Sequence, residues 1–174
     1  MIEIRKLGPD EAEAYYKLRL EGLEKFPEAF ASSYEEEVTR TINDVKHNME
    51  KEDRFTAGAY YGNELVGIGT FFQHTKKKLK HKGEIVGVYV SQHVQRNGIG
   101  FKLLQYLVDE ASSIEGIEQI LLTVMSENRS AIRSYEKLGF QSYGVEEHSL
   151  KIEGYYYDEI LMKLNLSKKD ETSS

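Results

Sequence analysis

The stretch Val88-Tyr89-Val90-Ser91-Gln92-His93-Val94-Gln95-Arg96-Asn97-Gly98-Ile99-Gly100 constrains this chain more than any other. An apolar strand pattern runs into a short polar turn. The turn opens at two glycines into an amphipathic helix pattern carrying Phe101, Leu103, Leu104, Leu107 and Val108. A helix start offers unpaired backbone N–H groups and a positive dipole end, which together attract anions. Glycine lets the backbone approach an anion closely and adopt positive φ where needed. The turn therefore predicts a phosphate-bearing ligand.

Three glycine-rich signatures compete for it. A dinucleotide fingerprint needs a third glycine where this chain has Leu103. A P-loop needs Gly-Lys-Ser/Thr, which Phe101-Lys102-Leu103 does not supply. The pattern Q-x-x-G-x-G does fit, from Gln95 to Gly100. Downstream, Thr123 to Phe140 reads as a strand followed by N-x-x-[AS]-x-x-x-Y-x-x-x-G-F, met by Asn128, Ala131, Tyr135, Gly139 and Phe140. With both motifs in this order and at this spacing, the chain resembles the GNAT superfamily of N-acetyltransferases, over roughly residues 2–164.

That resemblance implies an α/β (α+β) fold: a mixed, largely antiparallel sheet with splayed central strands, flanked by helices. It implies acetyl-CoA as cosubstrate and no metal. The pyrophosphate would lie on backbone N–H groups from Arg96 through Asn97, Gly98, Ile99, Gly100 and Phe101, in the loop that Gln95 opens. Arg96 either pairs with a phosphate or is a solvated turn arginine. The pantetheine arm would pair with Val88 and Val90 like an added strand. Gly87 interrupts an apolar run, so it marks either a bulge that aims the Val88 N–H at the thioester carbonyl or simple relief of crowding. Tyr135 takes the place of the proton donor to the leaving thiolate, against a core aromatic as the structural alternative. Asn128 is expected to cap its helix and touch the pantetheine arm. Glu84 aligns with the general base of the histone-acetyltransferase branch. The ribosomal-protein branch carries its glutamate on the next strand, where this chain has Thr123.

The acceptor would enter between the link after the first helix, with Phe30, Ser33 and Tyr34, and the last hairpin, with Tyr155 and Tyr156. His148 reads as an ordinary strand histidine before it reads as a base. The favoured function is acetyl transfer to the primary amine of a small molecule: an amino-acid analogue, a polyamine or an amine antibiotic. A protein lysine or N-terminal acetyltransferase is the alternative. A coenzyme-binding sensor without turnover is the third.

Composition sets the frame. At 174 residues the chain suits one domain, expected over 1–166, with a disordered tail at 167–174. No apolar run nears the ~20 residues a bilayer requires. The start lacks a signal-peptide pattern and there is no cysteine, so a cytoplasmic protein is expected. A net charge of −6 argues against nucleic-acid partners and mildly favours cationic substrates. Lys76 to Lys82 reads as a solvated loop, Glu35-Glu36-Glu37 as a charged first helical turn. The five histidines show no metal-ligand spacing. Whether the chain forms a homodimer stays open. The predicted element order is β-α-α-β-β-β-α-β-α-β-β, with one helix over 34–51.

Overall fold

The computed structural model describes residues 1–95 and 97–166; Arg96 and the tail 167–174 lie outside the described residues. One seven-stranded sheet runs in the order β1-β2-β3-β4-β5-β7-β6. Its strands are β1 (Ile2–Leu7), β2 (Arg54–Tyr61), β3 (Glu64–Gln73), β4 (Lys82–Val90), β5 (Gln119–Met125), β6 (Gln141–Ile152) and β7 (Tyr155–Asn165). The pairs β1–β2, β2–β3, β3–β4, β5–β7 and β6–β7 are antiparallel, and β4 and β5 run parallel. Two tight turns explain two of the antiparallel pairs. Gly62 at φ +63° turns β2 into β3, and Glu153-Gly154, both at positive φ, turn β6 into β7.

Each sheet face carries helices. Helix α4 (Ile99–Ser112) lays Leu103, Leu104, Leu107, Val108 and Ala111 on Phe71, Ile85, Ile120 and Leu122. Helix α5 (Arg129–Lys137) adds Tyr135, which packs with Phe140 and Met162 on the same core. On the other face, α1 (Ala12–Lys25) buries Ala12, Tyr15, Leu18 and Leu23, the stripe its 3.6-residue periodicity predicts, against Ile68, Tyr89 and Phe30. Burying one such aliphatic side chain stabilises by about 1.5–3 kcal/mol.

The expected single helix over 34–51 is two: α2 (Tyr34–Glu37) and α3 (Ile42–Met49). Local hydrogen bonding makes the break. The Tyr16 hydroxyl donates to the Glu37 and Arg40 carbonyls, groups a continuing helix would use itself. Thr41 and Asp44 then form a reciprocal capping box, each side chain accepting from the other's backbone N–H at 3.1 Å. The helix restarts on a new axis, and Val45 reaches the core.

Candidate active site

The sheet opens at β4. Its register with β5 covers Lys82, Gly83 and Glu84, opposite Gln119, Ile120 and Leu121, and goes no further. Beyond Glu84 the strands part, while β5 stays paired with β7 up to Met125. The backbone of β4 from Ile85 to Val90 thus has an unpaired edge towards the gap, the splay that the family resemblance implies.

Within this edge lies a bulge. Ile68 faces Tyr89 and Thr70 faces Val86, so Gly87 and Val88 together stand opposite the single residue Gly69. Gly87 sits at φ +62°, a conformation that side chains other than glycine rarely adopt. At the strand end, the Ser91 N–H turns to β3 and donates to the Val66 carbonyl at 2.8 Å. By strand alternation the Val90 N–H and carbonyl face the gap. The Gln95 side-chain amide donates to that carbonyl at 2.8 Å, so Gln95 braces the turn onto the strand and the Val90 N–H remains directed outward.

The turn ends in a bare helix N-terminus. Gly98 is the N-cap of α4 at φ +73°, with no side-chain cap. The first bond into the helix is Lys102 N–H to the Gly98 carbonyl, so the N–H groups of Ile99, Gly100 and Phe101 precede the ladder. Gly100 has helical geometry, and a Cβ there would meet only Val90, at an ordinary 3.8 Å. Among the described residues nothing near this position requires glycine.

The two polar residues of the second motif, Asn128 and Tyr135, belong to the cap and the body of α5. Asn128 caps the helix, its side-chain oxygen accepting from the Ala131 N–H at 3.3 Å. Tyr135 is 9% exposed and packs edge-to-face on Phe140, with ring centroids 5.9 Å apart. Burial pushes its pKa up to about 12, so the phenol keeps its proton at neutral pH. Among the described residues no buried side-chain polar atom lacks a partner, and Tyr135 makes no hydrogen bond, so its hydroxyl is not fully sealed from solvent.

Glu84 leaves the sheet on the α1 face, opposite Phe72, with its carboxylate 3.0 Å from His74 Nε2. Val86, two residues on, faces the same way and stays exposed. Over Val86, Thr70 and Phe72 lies a cavity of about 580 Å³, roofed by Tyr15, Arg19, Glu36, Glu37 and Arg40. Arg19 donates from Nε to both carboxylate oxygens of Glu37, at 3.0 and 2.8 Å, and Arg40 reaches the same carboxylate at 3.4 Å. Burial opposes the charge on Arg19, but Tyr15 and Glu37 outweigh it and raise its pKa.

These residues were missed in the sequence. Glu37 had the look of a solvated first-turn acid, yet it is 7% exposed. A signal existed: Arg19 stands four residues after Tyr15 and four before Leu23, within the apolar stripe of α1. A charge at such a position is rarely idle.

The residues expected to face the acceptor are dispersed. Phe30 is buried in the core beneath the Arg19 guanidinium, 5.4 Å from ring centroid to Cζ. Ser33 caps α2 and donates its hydroxyl to Glu36. Tyr34 packs at the edge of the α1 core. Tyr155 is 71% exposed. Tyr156 stacks on His148, centroids 4.4 Å apart, beside a second cavity of about 200 Å³ that Ser126, Glu127 and Asp158 also line. Neither cavity is lined by both the link and the hairpin. Among the described residues no cluster of His, Asp or Glu is arranged to hold a metal, and no helix is long and apolar enough to cross a membrane.

Comparison with known proteins agrees with this geometry. Residues 16–140 match the model of the acetyltransferase (GNAT) family, and the chain belongs to that family. It is 26% identical over 172 residues to the probable N-acetyltransferase YjcK of Bacillus subtilis, covering 94% of each chain. It is 33% identical over 121 residues to an N-alpha-acetyltransferase of Sulfurisphaera tokodaii, covering 66% of this chain and 68% of that one. Its match to the spermine/spermidine N(1)-acetyltransferase of B. subtilis is 28% over 90 residues, half of this chain and 59% of the relative's length. The GNAT acetyltransferase of Streptococcus pneumoniae shares the fold with a TM-score of 0.85 at 23% identity, over 95% of this chain and all of that one. So does yncA of Salmonella typhimurium, solved with its cofactor acetyl-CoA, with a TM-score of 0.84 at 20% identity, over 97% and 96%.

Proposed function

We propose that this protein transfers an acetyl group from acetyl-CoA to the primary amine of a small molecule. One observation carries the reading: an unpaired strand edge with a glycine bulge leads directly into an uncapped helix N-terminus. That combination suits a long ligand with a pyrophosphate at one end and an amide-bearing arm along the strand. Bound there, acetyl-CoA supplies the activated acyl group.

The protein's own groups then divide the work. N–H groups from Asn97 to Phe101 hold the pyrophosphate. The backbone of Val88 and Val90 aligns the arm, and Asn128 steadies it from the α5 side. The Val88 N–H, aimed by the bulge, stabilises the oxyanion. Tyr135 is a neutral phenol and donates a proton to the departing thiolate. Glu84, with His74 3.0 Å away, takes the proton that the acceptor's ammonium must lose. Ser33, Tyr34, Tyr155 and Tyr156 border the acceptor's approach, and Phe30 contributes from beneath by holding Arg19 in place. The fold works in the cytoplasm, with no membrane or nucleic-acid partner.

One relative is named for spermine and spermidine, another as an N-alpha-acetyltransferase. Thr123 stands where the ribosomal-protein branch has its glutamate, which favours the small-molecule reading. A mass-spectrometric screen of small amines and peptides against acetyl-CoA tests it. Acetylated small amines are the expected product. Peptides with free N-termini or lysines acetylated far faster than any small amine would overturn it. Tyr34→Ala and Tyr156→Ala should each raise the KM of the amine and leave that of acetyl-CoA unchanged.

A further inference from the structure

The roof of the larger cavity has more hydrogen-bond donors than acceptors. Arg19 and Arg40 share the carboxylate of Glu37, and the roof's other carboxylate, that of Glu36, accepts from the Ser33 hydroxyl at 2.8 Å. Arg54, on the far wall, is different: Asp53 meets it at 2.9 and 3.3 Å and Asn48 takes a third N–H. A guanidinium carries five N–H donors. The acceptors given to Arg19 are the Glu37 carboxylate and Tyr15, and Arg40 has the same carboxylate alone. Arg19 is 16% exposed in its side chain, and leaving donors unmet there is costly. Arg19 and Arg40 both line the cavity, and among the described residues no unpartnered side-chain N–H is sealed off.

Arg19 also reaches the reacting region. Its Nη1 lies over the bulge, 2.9 Å from where a Cβ on Gly87 would stand. The spare donors are thus within a small molecule's reach of the Val88 N–H and of Glu84.

Resting on the proposed acetyl transfer to a small amine, we infer that the acceptor is an amino acid whose carboxylate is gripped by Arg19 and Arg40. The planar fork of a guanidinium matches a carboxylate in two parallel hydrogen bonds. Glu37 holds both arginines in position and touches no substrate. The closeness of Arg19 to the bulge calls for few bonds between carboxylate and amine, as in an α-amino acid. A polyamine has no carboxylate for the guanidinium forks to grip.

The test separates binding from turnover. Calorimetry on the protein saturated with coenzyme A compares the proteinogenic L-amino acids with their decarboxylated counterparts, such as lysine with cadaverine, and with spermidine. At least one amino acid should bind ~10- to 100-fold tighter than its decarboxylated partner, the range for a charge-assisted hydrogen-bond pair. Arg40→Met keeps Glu37 paired with Arg19 and should erase most of that preference without changing coenzyme affinity. Equal or tighter binding of the decarboxylated amines, no binding by any amino acid, or equal weakening of both series by Arg40→Met would overturn the inference. Turnover of the same compounds is scored separately. Amino acids that bind but never gain an acetyl group would sink the transfer reading and leave carboxylate recognition standing.

Discussion

The proposed coenzyme side and the proposed acceptor side of this molecule are built from different materials. On the coenzyme side the functional groups are backbone: the free edge of β4, the bulge at Gly87 and Val88, and the open N–H groups after Gly98. On the acceptor side they are side chains delivered by separate elements: Arg19 from α1, Glu37 from α2, Glu84 from β4 and His74 from the loop after β3. Backbone geometry demands particular residues at fixed spacing, so it leaves a motif. Side chains that meet across 18 residues, as Arg19 and Glu37 do, leave none.

The sharpest way to break the contrast is Gly98→Asp. The site has room, with no atom within 4 Å of a Cβ, and aspartate tolerates positive φ better than most residues, so the fold should survive. A carboxylate placed ~4 Å from a pyrophosphate charge costs about 4 kcal/mol at an effective dielectric of ~20, roughly 1,000-fold in affinity. Calorimetry with acetyl-CoA on a mutant of native circular dichroism measures it. Unchanged affinity would remove the turn from the coenzyme site.

Tyr135→Phe probes the one side chain on the coenzyme side given a proton to move. It should lower kcat by ~10²–10⁴ while leaving coenzyme affinity within a few-fold. The pKa gives an independent check. A folded value raised to about 12, above the ~10 of a free phenol, stabilises fully below pH ~10 and is lost as pH rises towards 12. Denaturation midpoints between pH 10 and 12 should therefore fall less steeply in the phenylalanine variant. An unaltered kcat in a reaction limited by chemistry would return Tyr135 to the core.

Crossing to the acceptor side, Glu84→Gln should slow the reaction about 10- to 100-fold near pH 7 and progressively less at high pH, where the amine is already neutral. Rate profiles of mutant and wild type that stay parallel across pH would deprive Glu84 of its role. The smallest effect belongs to Thr41→Ala, which removes one half of the capping box that restarts the helix. It should cost about 1 kcal/mol in thermal unfolding and leave coenzyme affinity untouched. A matching loss of coenzyme affinity would mean that the two sides are more tightly coupled than their construction suggests.

By itself the sequence determined the family, the order of elements and the glycine turn that opens α4. Amphipathic stripes such as Ala12, Tyr15, Leu18 and Leu23, and the glycines at 87, 98 and 100, follow from short-range rules that repeat along the chain. It did not determine where the helix over 34–51 breaks, because the Tyr16 hydroxyl that claims the Glu37 carbonyl comes from another element. Nor did it reveal that Glu37 is buried, that Phe30 packs under Arg19, or that Glu84 has a histidine neighbour. Those outcomes were decided by tertiary packing. A local pattern dictates which face of an element is apolar. What a polar group on that face meets depends on elements whose approach no spacing along the chain encodes.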